Sequence, residues 1–245
     1  MKKDCLFSIC QDVFAHYQKA KKQLNDKIIG VPILFFGDVD KYFSQRIKIL
    51  TVGQNPSKDE FPEGFERFEN FSYFINKTNL SENEADQYLL MLQNYFYNKP
   101  YLRWFSQFRW YLEQFAGSYQ NGTIHIDLHS TLATSPTWGG LTAEEQNIVS
   151  QKTVFRNLFN FFNPDIILCN FNLDLLNEII TFDHRIEDTI TYGKKIQRTK
   201  IIEAGRCGKQ IFIGNTSGTS PFAYINKESR EKFFSRLRQN YGNQP

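Results

Sequence analysis

The residues most able to do chemistry sit where short apolar runs stop. Ile49-Leu50-Thr51-Val52 gives way to Gly53-Gln54-Asn55-Pro56-Ser57, and Gln210-Ile211-Phe212-Ile213-Gly214 gives way to Asn215-Thr216-Ser217-Gly218-Thr219-Ser220. The run Asp165–Cys169 ends in Asn170. Gly122–Ser130 alternates like a strand, so Asp127 and His129, two apart, share one face. Amides, hydroxyls and an imidazole are hydrogen-bonding groups suited to orienting a ligand or a water molecule. Other chemistries lack their parts. Cys5, Cys10, Cys169 and Cys207 show no Cys-x-x-Cys spacing, so no clustered thiolates are available for iron–sulfur or zinc, and they read as buried free thiols. Neither a Gly-x-Ser-x-Gly elbow, nor a P-loop, nor a metal-ligand cluster is present, which argues against an esterase or nucleotide hydrolase. No cofactor or metal is expected.

The elements needed to hold these residues can be read from periodicity. Apolar strands are expected near 47–52, 122–130, 165–170 and 210–214, the third so uniformly apolar that both its faces should be covered. Val31–Asp38 reads as a short extended segment closing on a turn. Helices are expected at 5–24, 82–97, 100–116, 143–162 and about 226–240. Strands alternating with helices imply an α/β three-layer sandwich with a central four-stranded, mostly parallel sheet flanked by helices. In such a sheet ligands bind beyond the carboxyl ends of the strands, so 53–57, 127–138, 170–172 and 214–222 should gather along one edge. No repeats or linkers interrupt the chain, which is expected to form one domain over 1–245, with 1–30 as a helical N-terminal extension.

Composition adds little. The 245 residues suffice for one sizeable core without staples or metal. A net charge of +3 permits an anionic partner without demanding one, and the 24 Phe and 12 Tyr read mainly as compositional bias. The N-terminal residues carry no apolar leader, and no run approaches a membrane span, so a soluble, cytoplasmic monomer without membrane or metal partners is expected. Asp59, Glu60, Glu63, Glu66 and Glu69 interleave with Phe61, Phe65, Phe68 and Phe71. The plain reading is a solvated acidic face. The sharper one has a Phe walling a pocket while carboxylates face a polar ligand. Trp104 and Trp110 read as helix-packing aromatics. The basic span 191–210 reads as a hairpin.

Gly53-Gln54-Asn55-Pro56-Ser57 resembles the first motif of the uracil-DNA glycosylase superfamily, Gly-Gln-Asp-Pro-Tyr or Gly-Ile-Asn-Pro-Gly in different branches. Asn215-Thr216-Ser217-Gly218-Thr219-Ser220 resembles the second, His-Pro-Ser-Pro-Leu-Ser or Asn-Pro-Ser-Gly-Leu-Ser, and Ile126–Leu132 resembles the middle strand that ends in the base-reading residue. The likeness runs from about residue 30 onward. It implies a monofunctional DNA glycosylase, with DNA as partner, that flips out a pyrimidine and hydrolyses its N-glycosidic bond to leave an abasic site. It assigns Asn55 to positioning the attacking water and Asn215 to donating to the leaving base. Gln54, Ser57, Phe71, His129 and Asn170 would form the base pocket. Ser217, Gly218, Thr219, Ser220 and Phe222 would contact DNA, with Thr219 or Phe222 at the wedge.

The departures carry information. An Asn at 55 cannot take a proton, so the resemblance is to the mismatch-type branch, where catalysis rests on positioning and charge stabilisation. Ser57 stands where the family's Tyr excludes C5 substituents, His129 where the uracil-reading Asn stands, and Thr216 where the motif has Pro. An enlarged pocket follows, for mismatched thymine or for a C5-modified cytosine such as the hydroxymethyl or glucosylated bases of phage DNA, with uracil next. That would be a phage-defence glycosylase. His129 also reads more simply as a core histidine partnered by Asp127. The alternative function is a catalytically silent binder of modified or abasic DNA, held by the basic span and the last helix.

Overall fold

A computed structural model describes residues 2–24, 26–63, 67–192, 198–215 and 226–241. The chain opens with helix α1 (Lys2–Gln23), strand β1 (Ile28–Ile29), helix α2 (Val39–Ser44) and strand β2 (Ile49–Gly53). Helices α3 (Glu82–Gln93), α4 (Leu102–Phe105) and α5 (Arg109–Gln114) follow, then strands β3 (Ile124–Asp127) and β4 (Ala133–Thr134). Next come helices α6 (Ala143–Val149) and α7 (Lys152–Phe162), and strands β5 (Ile166–Cys169), β6 (His184–Tyr192), β7 (Arg198–Cys207) and β8 (Gln210–Asn215). Helix α8 (Lys227–Tyr241) closes the described chain.

The main sheet has the order β3-β2-β5-β8-β7-β6. Its first four strands are the expected ones and run parallel. The expectation of a four-stranded sheet is nevertheless corrected to six. The basic hairpin begins earlier than its charge pattern suggests, at His184, and pairs antiparallel onto β8 through β7. The segment 31–38 forms no strand, and only Phe36 bridges to His125.

Register decides which residues share a face. Thr51 pairs with His125, Gly53 with Asp127, and Thr51 with Leu168 on the other side, so Thr51, Gly53, His125, Asp127, Leu168 and Asn170 share one face. Phe105 and Phe108 lie against His125 on that face. Phe212, of opposite parity, meets Phe159 of α7 on the other face. Helical layers therefore cover both sides. The Phe and Tyr residues are working parts of the core: Phe36 contacts Phe68, Tyr95, Phe96, Phe105 and His125, and is itself buried. Each such fully buried ring contributes about 1.5–3 kcal/mol.

Two expected helices are broken. The 100–116 helix is divided by a 3₁₀ turn at Ser106–Phe108, and Leu102, expected on its buried side, is exposed. The 143–162 helix stops where Ser150 turns extended, at φ −67° and ψ 135°. Gln151 explains the stop: its N–H donates to the His129 carbonyl at 2.7 Å, and its Oε1 accepts from Thr131 N and Oγ1 at 3.1 and 2.6 Å. The break ties the loop after β3 to the helical layer. The N-terminal helix α1 packs against α3, α6 and α7, and its Val13, Phe14 and Tyr17 belong to the common core.

Candidate active site

One cavity of about 320 Å³ opens at the carboxyl ends of the parallel strands, where the sheet topology places a site. The β2 loop supplies Gln54, Asn55, Pro56 and Ser57, and the ends of β3 and β5 supply Asp127 and Asn170. His125, one position pair deeper along β3, also reaches it. Phe36, Tyr101, Trp104, Phe105 and Trp138 provide aromatic walls, and Glu60 a second carboxyl group.

The β2 loop is held from both sides. Gly53 and Gln54 carbonyls accept from Leu128 and His129 N–H, each at 2.9 Å, and the Pro56 carbonyl accepts from Thr134 N–H at 3.3 Å. Asn55 adds side-chain ties. Its Nδ2 donates to Thr134 Oγ1 and to the Pro56 carbonyl, both at 2.9 Å, while its Oδ1 accepts from Trp138 N–H at 3.2 Å. Both amide hydrogens and one of two oxygen lone pairs are thus engaged within the protein. The Ser57 hydroxyl accepts from Asp59 N–H at 3.2 Å and caps the short turn that follows.

The strand ends are different. Asp127 is only 7% exposed, and among the described residues its carboxylate has no hydrogen-bond donor; His125 Nε2 lies 3.7 Å from its Oδ1. His125 is fixed from behind, its Nδ1 2.8 Å from Thr51 Oγ1, which accepts in turn from the Tyr119 hydroxyl at 3.1 Å. Asn170, also 7% exposed, has its N–H bonded to the Val52 carbonyl, but its buried Oδ1 has no partner. A buried acceptor without a donor, as the Asn170 Oδ1 is, is uncommon and calls for a ligand. Gly53 makes the arrangement possible: a Cβ there would lie 2.3 Å from Asp127 Oδ1 and 3.2 Å from His125 Nε2. Its backbone does not need glycine; the side chain on the next strand does.

Glu60 is buried, and burial pushes its carboxyl up to about 7, opposed by the hydrogen bond from the Tyr95 hydroxyl. Tyr95 in turn accepts from Tyr101 N–H at 2.8 Å. Of the acidic, Phe-rich stretch, then, Glu60 reaches the cavity while Phe61, Phe68 and Phe71 pack against one another and the core. Phe65 and Glu66 lie outside the described residues.

Gln54, Asn55, Ser57 and Asn170 therefore converge as expected from sequence, and two other pocket candidates do not. Phe71 does not line the cavity; its ring lies 5.3 Å from Phe61. His129 does not line it either, because β3 ends at Asp127 and the chain turns toward Gln54, carrying the imidazole off the sheet face. His129 instead stacks behind Trp138, centroids 4.2 Å apart at 12°, and burial, aided by the Lys152 charge, lowers its pKa to about 4. Its neighbour is not Asp127, whose partner is His125. Asn215 ends β8, two residues beyond the Leu168–Ile213 pair and so level with Asn170, and its side chain lies outside the described residues. Ser217, Gly218, Thr219, Ser220 and Phe222 lie outside them altogether.

Sequence reasoning missed His125 as a cavity residue, placed Asp127 at the strand edge only as a partner for His129, offered Glu60 only within a run of carboxylates, and took Trp104 for packing alone. The alternation of β3 already placed His125 and Asp127 on one face; what it lacked was the register that sets Gly53 beside Asp127. Trp110 does pack in a helix interface, under the Arg230 guanidinium at 4.5 Å and against Phe234. In the last helix Lys232 and Arg236 face Asp188 at 3.7 and 3.8 Å, which ties two of the expected phosphate-binding cations to the protein's own hairpin. Lys194 and Lys195 lie outside the described residues. Among those described, no group of three or more His, Cys, Asp or Glu could hold a metal ion, and no helix is long and apolar enough to cross a membrane.

The sequence matches no model of a known protein family, and no curated protein matches it. The likeness to the glycosylase superfamily thus rests on the motifs themselves.

Proposed function

We propose that the protein is a base-excising hydrolase whose cavity receives a flipped-out nucleobase. More particularly, it acts as a monofunctional DNA glycosylase on a C5-substituted pyrimidine, cleaving the N-glycosidic bond and leaving an abasic site. The observation that carries this reading is convergence. Gln54, Asn55, Ser57 and Asn170, singled out by motif and position, line a single aromatic-walled cavity at the strand ends. A base needs stacking surfaces and a few directed hydrogen bonds, and this cavity offers both.

The polarity of the cavity favours one substrate class. The unpaired Oδ1 of Asn170 and the Glu60 carboxylate, when ionised, are acceptors, so the fitting ligand carries donors. An exocyclic amine and sugar or hydroxymethyl hydroxyls supply them; thymine offers a single N–H. Hydroxymethylated or glucosylated cytosine of phage DNA therefore stands first, mismatched thymine second and uracil after them. Ser57 at the cavity leaves room for a C5 substituent. Asn215 is assigned the hydrogen bond to the departing base, and Asn55 holds water through the one Oδ1 lone pair that Trp138 leaves.

One observation favours the second reading, a silent DNA binder: the amide meant to position water is already spent on the loop. Incubation with duplexes carrying uracil, G·T, hydroxymethylcytosine or glucosylated hydroxymethylcytosine, followed by cleavage at abasic sites, separates the two. Strand breaks at a modified cytosine support the glycosylase; tight binding without breaks on any duplex supports the binder. Breaks confined to uracil would contradict the enlarged pocket.

A further inference from the structure

We propose that Asp127, not a residue of the Gly53–Ser57 loop, is the general base that activates the hydrolytic water, with His125 as its positioning residue. The assignment rests on the glycosylase reading and concerns which group takes the proton.

Three observations carry it. Asp127 is a buried carboxylate lining the cavity, and no donor among the described residues satisfies it. A carboxylate that faces the cavity with no protein donor has lone pairs free to accept from a water molecule there. Second, the protein keeps space for it. Gly53 pairs directly with Asp127, and any side chain at 53 would occupy the position of Oδ1. The carboxylate consequently lies against the first residue of the loop that lacks a carboxylate of its own.

Third, a fixed chain of groups lies behind it. Thr51 Oγ1 is 2.8 Å from His125 Nδ1 and 3.4 Å from the Ile124 carbonyl, so the better bond is to the imidazole. Tyr119 donates to Thr51, and in the tautomer in which Thr51 donates to Nδ1 the ring proton is on Nε2, toward Asp127. At 3.7 Å, Nε2–H stabilises the carboxylate electrostatically without consuming its lone pairs. Both groups are almost fully buried, where such an interaction is screened little by solvent.

The step balances simply. Asp127 takes a proton from water as the water oxygen bonds to C1′ of the sugar. The C1′–N bond breaks, its electron pair leaves with the base, and solvent protonates the departing base. Asp127 returns its proton to solvent before the next turnover. No oxidant, reductant or metal enters.

The test is single-turnover base release with wild type, D127N and D127A on whichever modified duplex the wild type cleaves, alongside binding to the same duplex with a stabilised, uncleavable nucleotide. Asparagine keeps the shape of Asp127 and removes only its basicity. Release by D127N should fall by about 100-fold or more, the range for a lost general base, with binding unchanged. Formate, a small carboxylate able to enter the vacated space, should restore part of the rate in D127A. A D127N rate near that of wild type overturns the assignment while leaving the glycosylase reading intact. So does a loss of binding or of thermal stability that matches the loss of rate, since that marks a structural role. Absence of base release from every duplex by the wild type overturns the glycosylase reading, and this assignment with it.

Discussion

The loop after β2 and the ends of β3 and β5 face the same cavity but are built in opposite ways. In the loop, Gly53, Gln54 and Pro56 carbonyls and nearly all of the Asn55 amide are bonded within the protein. At the strand ends, the Asn170 Oδ1 is buried without a partner, and the Asp127 carboxylate faces the cavity with no donor among the described residues. A nearly saturated loop is mainly a scaffold, because most of the bonds it would offer a substrate must first be broken. An unsatisfied strand end is where a ligand gains most, since it supplies the partner that folding withheld. The motif that identifies the site is therefore the part that shapes it, and the chemistry falls to residues a strand away.

This contrast can be broken at Gly53. G53A adds one methyl group at the position of Asp127 Oδ1, and the carboxylate can swing aside without moving the backbone. Base release should fall by about 100-fold, the size of a misplaced general base, with little change in Tm. Full activity in G53A would mean that the place of the carboxylate does not matter.

The opposite face of the comparison is Glu60, a buried carboxyl held near 7 against His129, a buried imidazole held near 4. Glu60 binds its proton more tightly folded than unfolded, so its contribution to stability is lost as pH rises from about 4.5 to about 7. His129 binds its proton less tightly folded, so its contribution is lost as pH falls from about 6.5 to about 4. The two slopes oppose each other across the shared range. E60Q, which mimics the neutral acid, should be more stable than wild type above pH 7 by up to about 3 kcal/mol, and equal to it near pH 4. Urea midpoints at both pH values check this; equal midpoints at high pH would show Glu60 to be ordinary.

N55A should act mainly on folding. It removes three internal hydrogen bonds at about 1 kcal/mol each, so stability should drop by about 2–3 kcal/mol in a denaturant titration. Trp138 gives the smallest effect. One face of its ring is covered by His129 and the residue lines the cavity, so W138A should weaken binding of a flipped base by about 1–3 kcal/mol, measured by titration with uncleavable duplex.

Much of this molecule was legible in its sequence. The four apolar runs are the four parallel strands, and the chain order of strands and helices fixed where a site must open. Local pattern fell short wherever a distant partner decides the outcome. Gln151 interrupts a helix to bind the His129–Thr131 loop, an event invisible in the helical period of 143–162. His129 follows the alternation of β3 on paper, yet the strand ends before it. The hairpin was legible as a basic span at 191–210, but not its start at His184 nor its place in the sheet, because only pairing with β8 shows that it extends the sheet. The motif pointed to Asn55; only the register of β2 against β3 pointed to Asp127.

The most direct test sets the two regions side by side: single-turnover base release by D127N and by N55A on the same modified duplex, each corrected for the fraction of folded protein. The scaffold-and-strand account predicts that D127N is slower than N55A by about tenfold or more, while both still bind the duplex. A result in the reverse order, with N55A the more damaged and D127N close to wild type, would return the chemistry to the loop and contradict the account.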